Sequence, residues 1–284
     1  PYTTLFRSPF IFKWLSKGPL YKAARGIARK SLGSDYSPSW NIVSAGPLKG
    51  VELYLDPKGD WQHEMLTGQY DDFFFDYLSN IDLSGKVVYD IGAHIGFSSL
   101  YFAKQVGSKG KVITFEPNTF NIERFKMILK KNSELASRIQ IVEAAISNKN
   151  GEESFIFSRN VDNGTSSGSF LEGAHTIFSK DSYMTEGGFA SVSVKTIALD
   201  TPSSEFPAMP DPHMIKLDIE GAEYLALEGA MGMIERAKPL VLVEVHSIFN
   251  MYRLGDIFAK LNYSIELLKE EKDGRCFFAA KPKA

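Results

Sequence analysis

Cysteine occurs once in the chain, at Cys276, and there is neither a C-x-x-C pair nor a Cys/His spacing that suits zinc. A single thiol excludes an internal disulfide and fits a reducing compartment, so the expected location is cytoplasmic. Long apolar runs are also missing: Lys13 and Lys17 interrupt the only N-terminal candidate for a membrane span. Neither sign of charge dominates. The net charge of −2 gives no overall field for nucleic acid, and no nucleic-acid partner is expected. A G-x-G-x-x-G dinucleotide fingerprint, internal repeats and low-complexity tracts are absent too. What remains is 44% hydrophobic and 23% charged, ordinary for a globular protein. Its 284 residues suffice for one substantial α/β domain with additions.

Charge is unevenly placed, however. Residues 1–34 hold seven basic side chains (Arg7, Lys13, Lys17, Lys22, Arg25, Arg29 and Lys30) and no acid. Such a segment either rests on an anionic membrane surface or forms a solvated helix ahead of the domain; the second reading is favoured. Residues 1–8, PYTTLFRS, look like the translated end of a sequencing-library adapter and are set aside. Residues 9–50 then form a basic helical segment, broken near Gly18-Pro19, and a Ser/Gly/Pro-rich linker from Gly33 to Gly50. Residues 51–284 form the main domain, with a polar insertion at 159–190 expected to lie over the substrate.

The domain is organised around Lys86–Gly96, KVVYDIGAHIG. Val87, Val88 and Tyr89 supply a β-branched and aromatic strand. Asp90, Gly92 and Gly96 make D-x-G-x-x-x-G, a tight turn into the apolar helix beginning at Phe97. A carboxylate at a strand end repels phosphate and suits a cationic ligand. S-adenosylmethionine, with an ammonium and a sulfonium but no phosphate, meets that requirement. The next strand, Lys111–Phe115, ends in Glu116-Pro117, twenty-six residues after Asp90. That is about the spacing of a ribose-binding acid in a βαβ unit. Asp90, Gly92 and Gly96 are thus assigned to the methionine end, and Glu116 to the ribose.

Further strands are expected at Val51–Leu55, Ile139–Ile146, Gly151–Ser158 and Ser191–Leu199, with helices over Asp60–Asn80 and Asn121–Asn132. A second constellation follows in Met214–Ile219, which runs into KLDIEGAE, and in Leu240–Val245. Side chains alternate across a strand, so Lys216, Asp218 and Glu220 share one side, as do Glu244 and His246. If the two strands are parallel neighbours, their carboxyl ends gather these groups where open α/β sheets bind ligands. Two functional readings stay open. His246 acts as general base toward a hydroxyl, oriented by Glu244 or Asp218; or Asp218, Glu220, Glu244 and His246 hold a divalent metal. Against both stands a purely structural arrangement, with Lys216 paired to an acid and His246 capping the strand.

Five segments, DIGAHIG, VITFEPN, AAISNKNGEESF, KLDIEGAE and LVEVH, follow in order the pattern of the FkbM-type methyltransferases, and the chain resembles that family from about Val51 to Pro282. It departs at His94, where the family usually has Asn, and at Asp71, where Gly68-Gln69-Tyr70 is usually followed by Glu. The resemblance implies a Rossmann-like class I methyltransferase fold: a doubly wound, mostly parallel seven-stranded sheet with an antiparallel last strand. It also implies an S-adenosylmethionine-dependent O-methyltransferase acting on a hydroxyl of a sugar, glycolipid or secondary metabolite. The cofactor set is completed by Ile91, His94, Pro117, Asn118 and Asp218, with adenine beside Ala144 and Ala145; Asp71 and Asp72 are further candidates. The rival readings are a nicotinamide-dependent oxidoreductase, which Asp90 and the missing fingerprint oppose, and a binding module without turnover.

Overall fold

The computed structural model describes residues 37–158, 168–174, 189–271 and 274–283. In chain order its elements are β1 (Ser39–Ile42), β2 (Glu52–Leu55), α1 (Asp60–Thr67), α2 (Asp72–Leu78), β3 (Val87–Ile91), α3 (Phe97–Val106), β4 (Lys111–Phe115), α4 (Thr119–Lys131) and α5 (Ser133–Ala136). There follow β5 (Ile139–Val142), β6 (Ala145–Ile146), β7 (Gly151–Ser158), β8 (Phe170–Leu171), β9 (Phe189–Ile197) and β10 (Met214–Leu217). The last are α6 (Glu223–Glu228), α7 (Met231–Ala237), β11 (Leu240–Val245), α8 (Ile248–Lys260), β12 (Tyr263–Glu270) and β13 (Cys276–Pro282). The helices expected in Pro9–Lys30, the adapter-like start and most of the 159–190 insertion lie outside the described residues.

The central sheet has seven strands in the order β12-β13-β11-β10-β3-β4-β5. β11, β10, β3, β4 and β5 run parallel, while β13 is antiparallel to both of its neighbours. This is the expected topology. Both faces are covered, which explains why the inner strands read as continuous apolar runs. Val88, Val112, Met214 and Leu242 pack on one face against α3 and α4, through Leu100, Phe102 and Phe125. Tyr89, Ile113, Ile215 and Val243 pack on the other against α6, α7 and α8, through Tyr224, Ile234 and Phe258. Strand order reverses between β3 and β10, and a crevice opens at such a switch point.

Three local features depart from expectation. The Gly33–Gly50 stretch is not all linker, because β1 pairs antiparallel with β2. The helix expected over Asp60–Asn80 is two helices. α1 ends at Gly68 (φ 72°, ψ 25°), where a Cβ would fall 2.6 Å from the Ala45 carbonyl, so only glycine fits. The strand expected over Ile139–Ile146 is also divided. β5 closes the edge of the central sheet, whereas β6 joins β9, β7 and β8 in a separate four-stranded sheet. That second sheet brings part of the insertion, β8, against the crevice. Among the described residues, no helix is long and apolar enough to cross a membrane.

Candidate active site

A cavity of roughly 420 Å³ lies at the carboxyl ends of β3, β4, β10 and β11. Trp61 and Tyr70 form one wall; Phe155, Ser169 and Leu171, from the smaller sheet and the insertion, form another. A cavity of this volume, lined about equally by polar and apolar surface, suits a small polar ligand. Of the residues assigned to cofactor, Ile91, Gly92, His94, Glu116, Pro117, Ala144, Ala145 and Asp218 line it.

Glu116 is buried at the β4 end of the cavity. Its Oε1 accepts from Asn118 N (2.9 Å) and Asn121 Nδ2 (3.2 Å), and its Oε2 from His94 N (2.8 Å). Burial pushes its carboxyl up to about 7 against those bonds. Oε2 keeps acceptor capacity for a ligand hydroxyl. His94 holds a left-handed backbone (φ 54°) with its ring 5.4 Å from that of Trp61. Burial lowers its imidazole to about 4, so it is neutral.

Asp90 is placed differently from expectation. Val88 and Asp90 face α3, while Tyr89 and Ile91 face the other side, so the carboxylate lies behind the turn and does not line the cavity. Ser99 Oγ donates to its Oδ2, and Lys216 Nζ lies 3.7 Å from its Oδ1. Burial raises its pKa, opposed by Lys216 and Ser99. Asp90 therefore does not reach a methionine ammonium directly; it braces the turn. Gly96 is likewise structural: a Cβ there would fall 2.0 Å from the Phe125 ring. Asn118 is not in the wall but caps α4, accepting from Phe120 N at 3.0 Å.

Lys216 is also a brace. Its Nζ donates to Gly92 O (3.1 Å) and Asp218 Oδ2 (3.0 Å), tying β10 to the β3 turn. Burial disfavours its charge, but Asp218 and Asp90 outweigh that and keep it cationic. The same lysine, despite burial, holds the Asp218 carboxyl below its usual range.

The second constellation does assemble. His246 Nε2 lies 3.3 Å from Glu220 Oε2, 3.6 Å from Glu244 Oε1 and 3.7 Å from Asp218 Oδ1. The three carboxylates line the cavity, but the imidazole stands behind them. Burial opposes charge on His246; its bond to Glu223 and the charges of Glu223, Glu220 and Asp218 outweigh this and raise it to about 10. That direction holds the proton on the ring and weighs against His246 as the base. Burial instead lifts Glu220 to about 7 and, with the Asp218 charge, Glu244 to about 8. Glu220 adopts φ 55°, and Asp71, near the same acids, φ 47°. Strained non-glycine residues of this kind gather at functional sites.

Several partners escaped the sequence reading. Arg275 donates to Glu244 Oε1 at 3.0 Å, across the β11–β13 ladder, and lines the cavity. Asn121 holds Glu116, and Trp61 and Tyr70 form a wall of the cavity. Glu223 was visible as the second Glu of EGAE, three residues after Glu220, but nothing in that spacing marks its bond to His246.

The strand order, the switch-point crevice and its two carboxylate-bearing ends define a class I S-adenosylmethionine-dependent methyltransferase. The chain belongs to the FkbM methyltransferase family, whose methyltransferase domain matches residues 90–269. It is 28% identical over 188 residues to the hexuronic acid methyltransferase AglP of Haloferax volcanii, covering 66% of this chain and 67% of that protein. Among solved structures it resembles an FkbM methyltransferase from Methylobacillus flagellatus KT (20% identity, TM-score 0.48), covering 69% of this chain and 44% of that one. It also resembles an S-adenosylmethionine-dependent O-methyltransferase from Thermotoga maritima (13% identity, TM-score 0.43; 75% and 65% covered).

Proposed function

We propose that the protein methylates a hydroxyl group of a sugar-containing small molecule or glycan. One observation carries this reading: a single cavity with Glu116 at one end and Asp218, Glu220 and Glu244 at the other. S-adenosylmethionine supplies a methyl group on a sulfonium whose departure is already activated, so positioning contributes most of the rate. Glu116 accepts from its ribose, and Ala144 and Ala145 leave room for a flat ring. Carboxylates at the far end accept from acceptor hydroxyls, and Trp61 and Tyr70 offer aromatic surface to a sugar ring. Glu220 or Glu244, held near neutrality, takes the hydroxyl proton as the oxygen is methylated; such help is worth roughly 10²–10⁴-fold. The hexuronic acid in the name of AglP supports a sugar as the acceptor class.

A second reading has its own observation. The ligating atoms of Asp218, Glu244 and His246 all lie within 4.8 Å of one another. Two carboxylates and an imidazole fit a divalent cation, which would displace the His246 proton and lower the pKa of an acceptor hydroxyl. A methyl-donor assay against a library of glycosides and lipids, read by mass, tests the first reading. Transfer to hydroxyl-bearing glycosides is expected. Calorimetry that shows binding of NAD but not of S-adenosylhomocysteine would overturn it, and transfer only to amines or thiols would overturn the acceptor class.

A further inference from the structure

Glu223 is fully buried, opens α6 and stands outside the cavity, yet it holds the group at the centre of the acid cluster. Its Oε1 lies 2.9 Å from His246 Nδ1 and accepts from the backbone N–H groups of Gly221 (3.0 Å) and Ile219 (3.3 Å). Its Oε2 accepts from the side-chain amide of Asn250, itself buried on α8. Ser247 Oγ caps that helix, accepting from Asn250 N at 3.1 Å. One carboxylate thus joins the β10–α6 turn, the end of β11 and the first turn of α8.

A carboxylate has no proton to offer an imidazole, so the contact is made by Nδ1–H donating to Glu223. With Nδ1 tied back, Nε2 is the nitrogen left to face Asp218, Glu220 and Glu244. We propose that Glu223 is the positioning residue of the acceptor end: it fixes the His246 ring with Nε2 toward the three cavity carboxylates, and acts on turnover only through His246. The assignment rests on reading this end of the cavity as the acceptor site. Three carboxylates converging on one apolar-backed site repel one another unless a shared donor is held among them. A ring free to turn about its Cβ–Cγ bond would withdraw that donor.

Glu223→Gln tests this, because the amide oxygen still accepts from the Ile219 and Gly221 N–H groups but carries no charge, so its hold on the imidazole Nδ1–H is weakened. Turnover should fall on the order of 10–100-fold, the usual cost of losing a partner that orients a histidine. The dissociation constant for S-adenosylhomocysteine should stay within about twofold, because Glu223 does not line the cavity and the variant keeps its bond to Ile219 N. In a His246→Gln background the same substitution should cost nothing further, since a residue acting through His246 has no effect once it is gone. An equal cost in both backgrounds, or unchanged turnover in the single variant, would overturn the proposal. If Glu223→Gln fails to fold, nitrogen-15 NMR of the wild-type protein decides. A protonated, exchange-protected His246 Nδ1 is expected, and an unprotonated one overturns the proposal. That measurement needs no acceptor, so a wild-type protein without methyl transfer but with the protected Nδ1–H would refute the functional reading alone.

Discussion

Gly92 is where the two halves of the site meet, and Gly92→Ala is the sharpest test of the crevice. Gly92 has φ 86°, and its N–H donates to Phe115 O at 3.0 Å. A Cβ there would fall 1.8 Å from Asp218 O and 2.9 Å from Ile219 Cγ2. Ordinary contact begins near 3.4 Å, so the β3 turn and the β10 end must part by roughly 1.5 Å. That breaks the Asp218 N–H to Ile91 O bond (3.1 Å) and draws Lys216 Nζ from Gly92 O. Left-handed strain costs about 1–2 kcal/mol and overpacking about 1–3 kcal/mol, giving roughly 2–5 kcal/mol in all. For a chain of this size the melting temperature should drop on the order of 10 °C. Because Gly92 and Asp218 both line the cavity, S-adenosylhomocysteine affinity by calorimetry should fall at least about tenfold. Gly50→Ala is the control. It also has positive φ (92°), but a Cβ meets nothing within 4 Å, so only the strain remains, about 1–2 kcal/mol, with cofactor affinity intact. Equal losses in the two variants would show that backbone strain alone matters at position 92, and that the close approach of β3 and β10 does not shape the site.

Glu116, held up to about 7, should make S-adenosylhomocysteine affinity fall as pH is lowered through 7, since the carboxylate is the better acceptor; Glu116→Gln should remove that dependence and cost roughly 1.5–3 kcal/mol of binding, as calorimetry from pH 6 to 8.5 would show. Stability of the free protein should run the other way: Glu116, Glu220 and Glu244, raised to about 7, 7 and 8, stabilise fully below about 4.5 and lose that contribution as pH rises through those values, and His246 loses its own between about 6.5 and 10. Denaturant midpoints that rise from pH 5 to 9 would contradict this. Ser99→Ala should cost about 1–3 kcal/mol of stability by stripping a donor from buried Asp90, with cofactor affinity nearly unchanged; a large affinity loss would put Asp90 back in the cofactor site. Dialysis against a chelator should abolish turnover, and magnesium or manganese restore it, only if Asp218, Glu244 and His246 hold a cation; full activity after chelation leaves the proton-bearing His246.

What was legible in the sequence, and what was not, follows from the physics of each signal. β3, β4, β10 and β11 stand out because strands covered on both faces must be apolar throughout. The convergence of Asp218, Glu220, Glu244 and His246 was readable because alternation fixes which residues share a side of a strand. Alternation does not say which side the ligand takes. Glu116 lies beyond its strand and faces the cavity, whereas Asp90 lies within β3 and faces α3. Two acids in similar motifs therefore have opposite fates. The break at Gly68 was invisible for a related reason, since what forbids a side chain there is the Ala45–Gly46 backbone, twenty-two residues away in sequence.

The charge pattern of the acceptor end is the clearest case of pairing that only the fold supplies. Read along the chain, KLDIEGAE and LVEVH offer an excess of acids, and a metal is the natural way to neutralise them. In the fold three cations are set among these four acids: Lys216 with Asp218, Arg275 with Glu244, and His246 shared by Glu220 and Glu223. Arg275 immediately precedes β13, and the antiparallel register of β13 against β11, which pairs Val245 with Cys276 and cannot be aligned from the sequence, brings it to Glu244. A site balanced by fixed cations can keep its carboxylates in place before any ligand arrives. That preorganisation allows one of them to lie near neutrality and take a proton without rebuilding the cluster.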